Sequence, residues 1–151
     1  MLVASTAPAF VNATDKSDSK PKIVGSGECQ YAVEHDCMRV PDHIHWEDTH
    51  GVAVDAEGLI YIKHRTKTVE LMDAVVVFDG KGRFVRSFGK EYHGGGHGID
   101  IRKEGNQEYL YLCDNKGYIA KTTLKGETIW KKTAPKLESY EGAAPFINEK
   151  P

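Results

Sequence analysis

The feature that most constrains this chain is an internal repeat. His50-Gly51 and His97-Gly98 lie about 47 residues apart, and each pair opens an alternating apolar segment. Three more short segments follow in each copy, separated by turn-forming residues. These predicted strands are Leu59–Ile62, Val75–Phe78 and Phe84–Phe88 in the first copy, and Tyr109–Leu112, Tyr118–Lys121 and Thr128–Trp130 in the second. The period is typical of β-propeller blades, so the sequence predicts an all-β chain: a partial β-propeller of about two four-stranded antiparallel blades.

Composition excludes several partners. The 151 residues carry 20 Lys and Arg against 22 Asp and Glu, and no basic patch stands out, which disfavours nucleic acid. The absence of a long apolar stretch predicts no integral membrane segment. Two blades are fewer than the about four to eight of a closed propeller. We therefore expect either a piece of a longer propeller or self-association, with an otherwise unknown ligand or protein as partner.

The ends of the chain differ from the repeats. Residues 1–21 start small and apolar and then turn polar, and Val11-Asn12-Ala13 fits the pattern before a signal-peptidase cut. We interpret them as an export-signal remnant and linker, which predicts a periplasmic or extracellular protein; a disordered arm is the alternative. The blades are expected within 22–133, with an additional N-terminal strand at Cys29–Glu34. Residues 134–151 lack a period and are interpreted as an irregular tail and truncation point.

Four segments carry a resemblance to a known family. They are Gly51–Asp55, Gly58–Ile62, Val75–Asp79 and Gly82–Gly89, and they resemble NHL-repeat proteins. The likeness covers roughly residues 47 to 132 and is stronger in the first repeat. It implies a six-bladed propeller and says little about function, because one fold serves many activities.

A narrower likeness concerns peptidylamidoglycolate lyase, an NHL-type propeller. Its zinc is held by histidines that precede the inner strands of successive blades, and His50 and His97 stand in a similar context. The family's Asp after the second strand is matched by Asp114, whereas Lys63-His64 replaces it in the first repeat. The resemblance implies a divalent metal, Zn²⁺ or Ca²⁺, at His50 and His97; it assigns no catalytic residue here.

Elementary chemistry leaves two interpretations of this histidine pair open. Equivalent positions in neighbouring blades bring both imidazoles to one end of a central channel, where they suit a late first-row divalent ion. Alternatively, a histidine before glycine satisfies a local backbone group in each copy. His43-x-His45 would share one face if extended but is expected in a solvated loop, and His35, His64 and His93 are expected at the surface.

Cysteines add one conditional expectation. If the protein is exported, Cys29 and Cys37 could pair across a short loop, while Cys113 is expected to be a small packing residue.

Two function classes follow from the sequence patterns described above. The first is a binding scaffold for a ligand or protein, and the alternative is a metal-dependent lyase or hydrolase that uses the channel histidines.

Overall fold

A computed structural model describes residues 22–45 and 47–133 of the chain. The predicted export-signal remnant (1–21) and irregular tail (134–151) lie outside the described residues. Within the described ranges the chain is all-β, with one short 3₁₀ turn at Lys90–Tyr92 and no α-helix. The strands form antiparallel sheets of two, four and four strands, so the predicted fold class is confirmed at this level.

The two-stranded sheet belongs to a separate compact unit that ends at Cys37. Strand β1 (Lys22–Ser26) and strand β2 (Cys29–Val33) form a hairpin, with Gly27 in the left-handed region at φ 59°. The N-terminal strand is therefore confirmed. Its partner is Lys22–Ser26, which has no alternating pattern in the sequence and pairs with it along its whole length.

The second compact unit begins at Met38 and contains both four-stranded sheets. Each sheet is a meander in which every strand pairs with the next along the chain. Sheet 1 consists of β3 (Asp48–Val54), β4 (Ile60–Arg65), β5 (Val75–Phe78) and β6 (Phe84–Phe88). Sheet 2 consists of β7 (Ile99–Glu104), β8 (Gln107–Asp114), β9 (Tyr118–Thr123) and β10 (Thr128–Thr133). The repeat predicted from the sequence is thus present as two successive sheets.

The two sheets pack face to face through alternate residues of their strands. Since strand side chains alternate between faces, one face of each sheet is apolar, and the first strands β3 and β7 lie side by side. Burying a large apolar side chain contributes about 1.5–3 kcal/mol, so this interface holds the unit together. Its central residues are Tyr61, Val75 and Val77 from sheet 1 and Leu110, Leu112 and Ala120 from sheet 2.

The opposite face of sheet 1 is covered in part by the segment that precedes it. Ile44 is buried against Val76 and Phe78, with Met38 and Val40 at its margin. Strand β3 begins at Asp48, after this segment.

Asp55 closes the first turn of sheet 1. The Oδ1 atom of Asp55 accepts hydrogen bonds from the backbone N–H groups of Glu57 and Leu59 at 3.0 and 2.8 Å. Its Oδ2 accepts one from the hydroxyl of Tyr61 at 2.9 Å. A short carboxylate that bonds to its own turn fixes the hairpin, and here it also satisfies a tyrosine in the core. Burial raises the pKa of Tyr61 to about 12.

The long loop after β4 is shorter than expected. The sequence predicts a charged loop over Lys63–Asp73, but β4 continues through Lys63 and His64 to Arg65. Lys63 and His64 are 0% and 1% exposed. The prediction was wrong because Lys63 and His64 interrupt the apolar pattern of the strand. Inside the fold, neighbouring side chains and backbone groups satisfy their hydrogen bonds.

Candidate metal site at the paired first strands

His50 lies at an irregularity near the start of β3. The register between β3 and β4 shifts between Thr49 and Gly51, so that His50 is the extra residue of a β-bulge. A bulge bends its strand and re-aims a side chain, and such bulges are common beside active sites. His50 is exposed rather than buried in the sheet.

His97 comes from the equivalent place just before β7. Gly51 explains why the two segments approach so closely. A Cβ at Gly51 would lie 2.8 Å from the Cγ2 of Ile99 and 3.1 Å from the carbonyl oxygen of His97. Since a methyl group would not fit there, glycine after His50 lets β3 reach the strand that carries His97.

The two imidazole rings therefore meet. Their centroids are 5.6 Å apart, their planes are tilted by 54°, and both residues are exposed. A zinc ion with Zn–N bonds of about 2.0–2.1 Å leaves the centroids of two ligating rings about 5–6 Å apart. The two rings thus lie close together, and a shared ion between His50 and His97 stays a prediction.

The donor set favours one of the two metals considered. Imidazole nitrogen suits Zn²⁺ and other late first-row ions, whereas Ca²⁺ takes six to eight oxygen ligands. The nearest carboxylate on the same strand, Asp48, is paired with Arg65, which lowers the pKa of Asp48 chiefly through their hydrogen bond. Among the described residues, no group of three or more His, Cys, Asp or Glu side chains is placed to hold an ion. The two imidazoles are thus the candidate ligands in this part of the chain.

A second polar cluster, which we call the Lys63 cluster, lies directly behind the histidines. Lys63 pairs with Gly51 in the register of sheet 1 and extends into sheet 2. Its Nζ donates to the carbonyl oxygen of Cys113 at 2.5 Å and to Oδ2 of Asp114 at 3.2 Å. The hydroxyl of Tyr118 donates to the same carboxylate oxygen at 2.8 Å. Both members of the Lys63–Asp114 ion pair have side chains that are 0% exposed.

Burial sets the electrostatics of this cluster. It lowers the pKa of Lys63, while the charge and hydrogen bond of Asp114 oppose that shift. It also raises the pKa of Tyr118, and the bond to Asp114 adds to the effect. Because each group finds its partner inside the protein and the ion pair is closed to solvent, the Lys63 cluster is structural.

The Lys63 cluster was not predicted from the sequence. In the sequence, Asp114 matches the Asp that follows the second strand in the lyase family, and Lys63 stands where the first repeat departs from that pattern. One signal was available, because Lys63 follows Tyr61 at a spacing of two within a strand, which directs both side chains to the same face. A lysine on the face that carries a core tyrosine needs a buried partner.

A glycine loop before β7 packs closely against β4 and the Lys63 cluster. A Cβ at Gly95 would lie 1.8 Å from Oδ1 of Asp114, and one at Gly96 would lie 2.7 Å from the backbone of His64 and Arg65. The sequence predicted a close backbone approach at these glycines, to an axis or a ligand. The close approach is present, and its partners are β4 and the Lys63 cluster.

The remaining histidines have other roles. His64 is buried, contrary to expectation, with its Nε2 2.8 Å from the carbonyl oxygen of Asp73. His93 is half-buried and fixes the loop after β4, because Met72 N–H donates to its Nδ1 at 3.1 Å while its Nε2 lies 3.1 Å from the Thr68 carbonyl oxygen. Burial lowers the pKa of His64. Both were missed because histidines that bond to a local backbone leave no pattern in sequence.

The expected loop at His43 and His45 is present. His43 and His45 are exposed, and a turn closed by the bond from Ile44 N–H to the Pro41 carbonyl oxygen replaces the extended conformation. The ring of His43 packs edge-on against Phe84 at 5.8 Å. His35 is exposed, as expected.

All three cysteines are free thiols in this structure. The conditional pairing of Cys29 with Cys37 is therefore not present in it. Cys113 is exposed, so the expectation of a buried packing residue was wrong. Leu112 and Asp114 occupy the face of β8 that meets sheet 1, and the alternation of the strand directs Cys113 to the other face.

Two grooves lie at opposite ends of the sheets. One of about 260 Å³ adjoins the histidine pair and is lined by Thr49, His50, Gly51, Val52 and Ile62. The other, about 460 Å³, lies at the turns that follow β3, β7 and β9, and its lining includes Ala56, Asn106 and Leu124. The smaller groove gives the histidine pair an adjacent, mainly apolar surface.

The chain matches no family model, no curated protein and no solved structure. The resemblance to NHL-repeat proteins therefore stays a prediction. No helix among the described residues is long and apolar enough to cross a membrane.

Proposed function

We propose that this protein is a binding scaffold of the NHL-type β-propeller kind, in which His50 and His97 together hold a zinc ion. The observation that carries the proposal is the 5.6 Å separation of two exposed imidazoles on neighbouring first strands. The β-bulge at His50 and the close fit at Gly51 both serve to bring these rings together. Neither feature is needed for four-stranded pairing alone.

The surroundings favour binding over catalysis. Two protein ligands leave coordination positions of a tetrahedral zinc open for a ligand or partner group. The adjoining groove offers Val52 and Ile62 as an apolar wall, and the hydroxyl of Thr49 is its polar side chain besides His50. A lyase or hydrolase also needs a positioned acid, base or nucleophile, and the described lining of the groove supplies none beyond those groups.

Export from the cytoplasm belongs to the same proposal. It is supported by the composition of residues 1–21. A secreted or periplasmic scaffold would present the histidine pair to ligands outside the cell.

Zinc titration by calorimetry tests the metal site. Wild-type protein stripped with a chelator should bind about one zinc ion per chain, and His50→Ala or His97→Ala should weaken binding at least about tenfold because each removes one of two ligands. The double variant His43→Ala/His45→Ala is the matched control, since it removes two exposed histidines elsewhere. Undiminished binding by His50→Ala/His97→Ala contradicts the assignment, as does loss of binding in the control alone.

A further inference from the structure

A histidine side chain bonds to two backbone groups of the loop between β4 and β5. We call this segment, residues 66–73, the 66–73 loop. His93 lies between β6 and β7, at the end of the 3₁₀ turn. The backbone N–H of Met72 donates to its Nδ1 at 3.1 Å, and its Nε2 lies 3.1 Å from the carbonyl oxygen of Thr68. The ring therefore spans the loop from one side to the other.

These two bonds require one protonation state of the His93 ring. A backbone N–H only donates, so Nδ1 is the unprotonated acceptor, and a carbonyl oxygen only accepts, so Nε2 carries the proton. A proton added to Nδ1 would point at the N–H of Met72, and a contact between two donors would replace the hydrogen bond. Histidine is the side chain that changes charge between pH 5 and 8. Mild acid therefore acts directly on this contact.

Charged neighbours also bear on the ring. The titratable and charged residues on the elements around it are His64 in β4, Lys67, Glu70 and Asp73 in the loop, Glu47 before β3, Lys116 in the turn after β8, and Lys90 and Glu91 in its own segment. Positive charges on His93 and His64 oppose each other, and the Nζ of Lys116 lies 2.6 Å from the carbonyl oxygen of His93. The Asp73 carboxylate accepts a hydrogen bond from Ser87 at 2.6 Å. Lys116 and a protonated His64 thus both favour a neutral His93 ring while the loop is closed.

The middle of the 66–73 loop has little packing of its own. Val69 and Leu71 are 103% and 62% exposed. By contrast, Ala74 directly after the loop is 2% exposed, and β5 is buried along its whole length. Local opening costs least where few apolar side chains are buried. The loop can therefore open without the strand that follows it.

The start of the loop contacts both segments that lead to the histidine pair. The N–H of Lys67 donates to the carboxylate of Glu47, ahead of His50, at 3.1 Å. A Cβ at Gly94, ahead of His97, would lie 3.9 Å from the carbonyl oxygen of Thr66. The 66–73 loop thus borders the supports of both histidines, and its state bears on the surroundings of the candidate metal site.

We propose that the 66–73 loop is a pH switch: the neutral ring of His93 holds it closed, and protonation of this ring opens it while both sheets stay folded. Opening takes up one proton, so its equilibrium constant rises by up to about tenfold for each unit by which the pH falls. The inference goes beyond the proposed binding function and is independent of the zinc ion, because the bonds of His93 run to Thr68 and Met72.

Amide hydrogen exchange followed by NMR on the full chain at pH 7.5 and pH 5 tests the proposal. Each rate is compared with the intrinsic rate at the same pH, which gives a protection factor. The protection factor of Met72 should fall at least about tenfold at pH 5, whereas the amides of β5 (Val75–Phe78) should stay protected. A Met72 amide that is equally protected at both pH values overturns the proposal. Exchange in β5 as fast as that of Met72 at pH 5 also overturns it, because the sheet would then have opened too.

Two substitutions of His93 sharpen the test. His93→Gln does not titrate, and its amide can accept from Met72 and donate to Thr68, so Met72 should be equally protected at pH 7.5 and pH 5. His93→Ala offers neither bond, so Met72 should exchange rapidly at both pH values. A fall in protection in His93→Gln as large as that in the wild type overturns the proposal.

A third variant separates the switch from the other histidine at this loop. His64 contacts the far end of the loop, where its Nε2 lies 2.8 Å from the carbonyl oxygen of Asp73. His64→Gln keeps a donor there and should show the wild-type fall in Met72 protection. His45→Gln, at an exposed histidine, is the control and should behave like the wild type. Loss of the pH dependence in His64→Gln, together with its retention in His93→Gln, would place the switch at His64 and overturn the assignment to His93.

Discussion

The Lys63 cluster and the histidine pair lie one strand apart and both connect the two sheets, yet they differ in burial. The ion pair of Lys63 with Asp114 is inaccessible to solvent, and hydrogen bonds satisfy it. His50 and His97 are exposed, and the centroids of their rings lie 5.6 Å apart. Polar residues that lie between the two sheets can therefore serve stability or binding, and their burial and their partners distinguish the two.

Removing the carboxylate of the Lys63 cluster should have the largest effect. Asp114→Ala leaves the ammonium of Lys63 buried without its charge partner and removes the acceptor of Tyr118. The free energy of unfolding should fall by about 3–5 kcal/mol, measured by urea denaturation. The double variant Lys63→Met/Asp114→Ala should recover part of this loss, because no charge stays buried. A double variant as unstable as Asp114→Ala would show that Asp114 acts through its turn bonds instead.

The second largest loss of stability is expected at Gly51, beside His50. Gly51→Ala places a methyl group against Ile99 and the backbone of His97, so the strands must separate at a cost of about 1–3 kcal/mol. Gly98→Ala is the matched control, since its Cβ would meet the Cβ of Cys113 at an ordinary 3.5 Å. Zinc affinity should also fall in Gly51→Ala only. Equal effects of the two substitutions would mean that the spacing of the strands does not depend on Gly51.

Acid should destabilise the fold through His64. Burial lowers the folded-state pKa of His64 below its unfolded value of about 6.5. The unfolded state therefore binds more protons between these two values, and stability falls as the pH drops through that window, by about 1.4 kcal/mol per unit of pKa difference.

Urea denaturation at several pH values between 5 and 7.5 measures this slope. His64→Gln keeps a donor for the Asp73 carbonyl oxygen but does not titrate, so its slope should be smaller. His45→Gln, at an exposed histidine, is the control and should retain the wild-type slope. An unchanged slope in His64→Gln would assign the acid sensitivity to other groups.

Much of the fold could be predicted from sequence because it repeats. Strands Val75–Phe78 and Phe84–Phe88 have the predicted bounds, since apolar runs between turn residues mark them clearly. The end of β4 and the hairpin at Lys22–Ser26 could not be predicted, because polar or irregular sequence forms strands there only through its partners.

The candidate site was predictable in part for the same reason. The repeated His-Gly pair places His50 and His97 in equivalent positions, and the structure brings them together. The bulge at His50 and the link from Lys63 to Asp114 depend on contacts between distant segments. Contacts between distant segments cannot be inferred directly from a single sequence.

The smallest effect on stability is expected at the histidine pair itself. The exposed rings contribute little packing, so His50→Ala/His97→Ala should change the free energy of unfolding by no more than about 0.5 kcal/mol in the absence of metal. A larger loss under a chelator would show that the pair is structural, like the Lys63 cluster.

The most direct test of the central claim is the stability of this double variant and the wild type with and without zinc. An ion that binds only the folded state stabilises it by about 2.7 kcal/mol at a concentration 100 times its dissociation constant. The account predicts a zinc-dependent rise in the free energy of unfolding for the wild type and none for His50→Ala/His97→Ala. Equal stabilisation of both proteins, or of neither, would contradict a metal site at His50 and His97.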